Sequence, residues 1–377
     1  MTALTDAETK AFETPAAPAS VRNDFLDALR LLAALAVVWI HSFDTRPAPS
    51  PQDMGRFAVP FFTVTSVWLM ARRPTPREPA GVAAFAWLSF VRRRFVRLYV
   101  PFLIWNIVYT MMREAKLRLL HTGEPTTFDV GWFTSGVAMQ LWFLPFLFVA
   151  QSVCRAVLVL ATYGESLRWL LAVACVATVP LVVARPVKTE TMGVTFFLGV
   201  SREAVPAALV ATAVALIGLH RLPVSAALCG AGMAVCVLAT FAVAGRGRDL
   251  WLETLAGLSL ATAALRVPRS CTQGRGRADQ SIRLPQPYHG LEYTTVAPGG
   301  WLGGLAALGT YAFGIYLVHI VFQNVLMTAA HGHVTMTNAA HVGLFLAVAS
   351  LSLGFCLVVV RLPGGETLAK WTGIKSL

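Results

Sequence analysis

Residues 25–43 read FLDALRLLAALAVVWIHSF, a run long and apolar enough to cross a lipid bilayer. A crossing takes about 20 residues at 1.5 Å rise each, and a segment surrounded by lipid must satisfy its own backbone, so this run is limited to a helix. It nevertheless carries Asp27 and Arg30 near one end and His41 near the other. An ionisable group at the centre of a spanning helix costs roughly 2.5–3.5 kcal/mol, so such groups usually face a protein interior and serve a function. Arg30 and His41 are eleven residues apart. That is about three turns, so one face of the helix presents both, about 16 Å apart along its axis. The competing reading leaves both near helix ends, snorkelling to the membrane interface.

More runs of this kind follow. Of the 377 residues, 56% are apolar and 13% charged, with a mean hydropathy of +0.63. Soluble domains carry about 25% charged residues, so the expected fold is all-α, a polytopic integral membrane helical bundle. Spans are expected at about 57–71, 98–112, 136–154, 169–184, 224–244, 250–265, 301–327 and 341–360, with an interrupted stretch at 191–219. Taking that stretch as one broken helix gives ten spans; eleven are possible. Ten puts the polar basic loop 266–298 and the C-terminus on the same cytoplasmic side as the arginine cluster of residues 72–97, as the positive-inside rule favours. The formal charge of +12 therefore reads as orientation and contact with acidic lipid headgroups rather than nucleic-acid binding.

Around the spans, residues 1–22 read as a disordered cytoplasmic tail without the basic n-region of a cleavable signal, 23–361 as the membrane domain, and 362–377 as a C-terminal tail. Residues 44–56 form a Pro-rich loop, 82–91 an amphipathic interfacial stretch, and 113–134 a mixed-charge outer loop. Trp142 is expected as an interfacial anchor and Pro145 as a kink. The six cysteines include no CxxC pair and sit mostly in apolar runs, so they read as small buried hydrophobes.

Few residues remain for chemistry. Arg94 and Arg97, three apart, share a helix face, and paired guanidinium groups suit a phosphorylated ligand. For Arg92 and Arg93 membrane orientation is sufficient explanation. Tyr311, Tyr316 and His319 interrupt an otherwise apolar late span, and the depth of His319 favours a function. His331, His333 and His341 crowd one connection, but without a carboxylate or cysteine companion no metal site is expected. No GxSxG, Walker A, GxGxxG or HExxH pattern occurs. These parts fit group transfer from a phosphorylated donor to an acceptor activated by a histidine base. They fit equally a proton-coupled transporter of glycan precursors or small solutes.

Five stretches in chain order separate the two. LDALRLLAALAVVWIH, VPFFTVTSVWLM, RRRFVRLYVP, LWFLP and LGTYAFGIYLVH together resemble the acyltransferase-3 family of integral membrane acyltransferases. The resemblance implies a bacterial inner-membrane O-acyltransferase moving acetyl from acetyl-CoA, a co-substrate and not a bound cofactor, to a hydroxyl of a surface or exported glycan. It implies His41 as the catalytic histidine, Arg30 as essential beside it, and Arg94 and Arg97 as the family's R-x-x-R pair near the donor's phosphates. Asp27, Ser66, Trp142, Tyr316 and His319 are expected to line the pocket. Three positions depart from the family pattern: Ala312 where Ser is frequent, Val67–Trp68 in place of a Gly after Ser66, and Gln140 where His often precedes LWFLP.

Overall fold

The structure is a computed structural model that describes residues 23–43, 54–72, 79–121, 125–184, 194–218, 232, 235–236, 250–266, 301–330 and 337–374. Every regular element among them is helical. The expected N-terminal tail, most of the 44–56 loop and of the 224–244 span, the 266–298 loop beyond Arg266, and His331 and His333 lie outside the described residues.

The first helix, α1 (Asp24–Ser42), is capped by Asn23, whose side-chain oxygen accepts from the Leu26 N–H at 2.9 Å. The Asn23 amide also donates to the Ala264 carbonyl at 3.0 Å, tying the start of α1 to the end of α10 (Leu250–Arg266). Next come α2 (Ala58–Ala71), α3 (Ala80–Arg94), a π-helical turn (Phe95–Tyr99) and α4 (Val100–Leu120). The third expected span thus belongs to a continuous helix, Gly81–Leu119, which includes the stretch expected to lie along the interface. Pro101 explains the π turn. It has no N–H to give the Arg97 carbonyl and its ring crowds that oxygen. The wider turn is adopted instead, with the Val100 N–H reaching back to Phe95. The expected outer loop at 113–134 is corrected in part: α4 continues to Leu120, because Arg113, Glu114, Lys116 and Arg118 are all good helix formers.

A short α5 (Val130–Thr134) and a 3₁₀ turn (Met139–Trp142) lead into α6 (Phe143–Leu160) and α7 (Glu165–Ala184). Pro145 falls in the first turn of α6, where its missing N–H is no loss, so it does not kink the helix interior. Trp142 is 7% exposed among Phe143 and Phe146, so it is a core residue and not an interfacial anchor. The interrupted stretch resolves into α8 (Val194–Ser201) and α9 (Val205–Ile217) around a turn at 202–204.

The late span expected over 301–327 is two helices, α11 (Trp301–Gly309) and α12 (Ala312–Ala330), broken at Thr310–Tyr311. After α13 (Asn338–Arg361) the expected tail forms a further amphipathic helix, α14 (Gly365–Thr372). Among the described residues, six helices are long and apolar enough to cross a membrane, and three shorter apolar helices accompany them.

Helix α1 is the centre of this arrangement, packing against α2, α10, α11, α12 and α13. Lipid tails are as apolar as leucine, so helices in a bilayer associate through close packing of small residues rather than by escaping water. Ala33 and Ala34 of α1 are fully buried, and the backbone of Gly309 comes so close to the Asp27 carbonyl that no Cβ would fit there. Gly257 of α10 is held in the same way against Pro60 of α2.

Candidate active site

The side chains expected to bind a phosphorylated ligand meet at one cavity of about 240 Å³. Arg30 enters it from α1, Ser66 from α2, Arg94 from the end of α3, Arg97 from the π turn and Tyr316 from α12. Arg30 is held by Asp27 one turn earlier, at 3.0 Å, so Asp27 positions the guanidinium without lining the cavity itself. Arg94 and Arg97 also line a second, surface cavity of about 470 Å³ with Arg92 and Arg93. They therefore stand at the boundary between the inner cavity and a basic outer rim.

His41, His319 and Trp142 do not line the inner cavity. The histidines lie one ring beyond it. Tyr316 is 5% exposed, lies against Phe143, and donates its hydroxyl hydrogen to the Gln140 carbonyl. His319 is a further ring neighbour, centroids 6.2 Å apart, and His319 in turn lies 5.4 Å from His41. Arg30 and Tyr316 share the cavity, while His41 is connected to Tyr316 through His319 and does not line it.

The tautomer of His319 follows from its partner. A carbonyl oxygen only accepts, so the 2.7 Å contact with the Tyr316 carbonyl is a bond donated by His319 Nδ1–H. Its Nε2 is then a bare lone pair, buried and without a hydrogen-bond partner among the described residues. Gln323, one turn beyond His319, donates to the His41 carbonyl and fixes α12 against the end of α1. His341 of α13 does the same from the other side, donating from Nδ1 to the Ser42 carbonyl at 2.7 Å and stacking on Phe43.

The cavity also takes residues that no motif marks, among them Gln151, Lys370 and Gly373. Gln151, from α6, lines the cavity at 3% exposure, and Lys370 and Gly373 reach it from α14 and its C-terminal end. Gln151 follows Trp142 and Pro145 in an apolar span, where a polar residue at i, i+3 or i+4 spacing from Leu147 was the available signal. Lys370 lies in a segment too short and polar to have been taken as part of the bundle. Among the described residues no cluster of three or more His, Cys, Asp or Glu side chains is arranged to hold a metal, and the four described cysteines are free thiols.

The chemistry open to this arrangement is directional. A rim of guanidinium groups binds phosphate bidentately and keeps its charge at any pH. Deeper in, two imidazoles offer a neutral base and an acceptor for its N–H. A family model described as an acyltransferase domain matches residues 23–203, which include Arg30, His41, Ser66, Arg94, Arg97 and Gln151. No curated protein matches the chain, and no solved structure does.

Proposed function

We propose, for a chain that through residues 23–203 belongs to the acyltransferase-3 family and is a membrane acyltransferase, that it moves acetyl from acetyl-CoA to a hydroxyl of a cell-surface or exported glycan. The observation that carries this reading is the cavity itself. Three arginines from separate turns of α1, α3 and the π turn converge on it, and its wall includes Tyr316, which neighbours His319, the residue beside His41. A donor with phosphates at one end and a thioester at the other matches that polarity.

In this reading Arg94 and Arg97 hold the donor's phosphates while Arg30, steadied by Asp27, guides the arm inward. His41 takes the proton from the acceptor hydroxyl as its oxygen attacks the thioester carbonyl. The new C–O bond forms, the C–S bond breaks, and the proton passes from His41 to the departing thiolate. His319 positions the base: its bare Nε2 is suited to accept the ring N–H of His41, which leaves the other His41 nitrogen as the base. Ser66 and Tyr316 contribute hydroxyls to the wall. The positive-inside bias supports ten crossings of a bacterial inner membrane with the N-terminus and the arginine rim in the cytoplasm, where acetyl-CoA is found.

The test is transfer of radiolabel from acetyl-CoA to envelope glycan in membranes holding either the wild type or His41→Ala, with abundance of each protein measured in parallel. Labelling is expected to fall by about 10²–10⁴-fold in the variant, the usual worth of a positioned base. Equal labelling by the two proteins would refute the role given to His41, and glycan export lost with acetylation intact would favour transport instead.

A further inference from the structure

We infer that Gln151 and Lys370 complete the donor site, Gln151 holding an N–H of the donor's arm and Lys370 a phosphate at its anionic end. The inference rests on the acyl-CoA reading above and adds two residues that neither the motifs nor the family match assigns to it.

Gln151 is 3% exposed and lines the cavity, yet its Oε1 finds no hydrogen-bond partner among the described residues. An amide oxygen only accepts, and a buried acceptor left unpaired carries the full cost of lost hydration. The group it awaits is therefore an N–H or O–H that arrives with the ligand. The arm of an acyl-CoA carries two secondary amides, each with one N–H to give.

Lys370 faces the same cavity from a different direction. Its helix is held in place by Ala369 and Ile374, both buried, and by the Trp105 indole N–H, which donates to the Thr372 carbonyl at 2.9 Å. Just beyond, Gly373 takes a φ of 74° with the Phe313 ring beside it, and Phe313 is itself part of the cavity wall. The ammonium thus stands on an anchored element. It is a compact positive charge with three donors and no acceptor, so the partner that best satisfies it is an anion. A neutral arm ending in phosphates satisfies Gln151 and Lys370 at once.

Binding of CoA and of pantetheine, which keeps the amides and lacks the phosphates, to the purified full-length protein separates the two roles. Lys370→Gln is expected to weaken CoA about tenfold and leave pantetheine unchanged, with Lys370→Arg restoring most of the loss. Gln151→Leu is expected to weaken both ligands. Because Lys370 is exposed, its substitution leaves the core intact, so a misfolded Gln151 variant does not stall the test. CoA binding within twofold of wild type in Lys370→Gln, or equal losses for both ligands, overturns the assignment while the acyl-CoA reading survives. A wild type that binds neither ligand defeats both.

Discussion

Tyr316 links the arginine cavity, which it lines, to His319, a ring neighbour. His319 is useful only if its Nε2 is free, and the bond from its Nδ1–H to the Tyr316 carbonyl keeps it so. His319→Ala should therefore lower kcat by about tenfold to a hundredfold, the scale of a misplaced catalytic group, and leave donor KM close to wild type. The kcat/KM of the wild type should rise with pH through the titration of His41, since only the neutral imidazole is a base, and His41→Ala should lose that limb. A His319 variant with unchanged kcat, or with only donor KM altered, would remove it from the proton path. At this scale the sequence was informative where an ionisable group interrupts an apolar run. Arg30 and Tyr316 stand out that way, Arg94 and Arg97 by their spacing within the basic cluster, and the four meet at one cavity. Gln151 and Lys370 do not stand out, because an uncharged amide and a terminal lysine are ordinary features of span interiors and cytoplasmic ends.

Among the elements, contact between α1 and α11 fixes where Arg30 points. The Cβ of an alanine at Gly309 would collide with the Asp27 carbonyl, and Asp27 is the residue that holds Arg30. Gly309→Ala should cost about 1–3 kcal/mol, as overpacking does, and weaken the donor more than Gly303→Ala, whose Cβ meets open space. Thermal unfolding of the two variants in detergent, with CoA binding, makes the comparison; equal behaviour would show that α11 yields without disturbing α1. The apolar helices are legible from hydropathy and length; the polar end of α4 and the amphipathic α14 are not. Nor are the interruptions: the break at Thr310–Tyr311 and the π turn at Phe95–Tyr99 arise from tertiary packing and from Pro101, neither of which shows in an apolar average.

For the whole molecule, one helix near the N-terminus organises a bundle that the far end of the chain returns to and helps to wall. That α12, α13 and α14 return to α1 and α4 could not be read from local pattern, which is why the C-terminal segment was taken for a tail. The charge distribution carries a prediction at this scale. Single cysteines placed in residues 74–78 and 270–280 of a cysteine-free protein should both react with membrane-impermeant reagents only from the cytoplasmic side. Labelling of the two from opposite sides would break the ten-span topology. The most direct test of the site's polarity, phosphates at the arginine end and chemistry at His41, is a steady-state comparison of His41→Asn with Arg94→Gln/Arg97→Gln against acetyl-CoA. The account predicts that His41→Asn loses kcat with donor KM nearly unchanged, while the arginine pair raises donor KM by at least tenfold and keeps most of kcat. The same defect in both variants, or a KM effect from His41 and a kcat effect from the arginines, would contradict it.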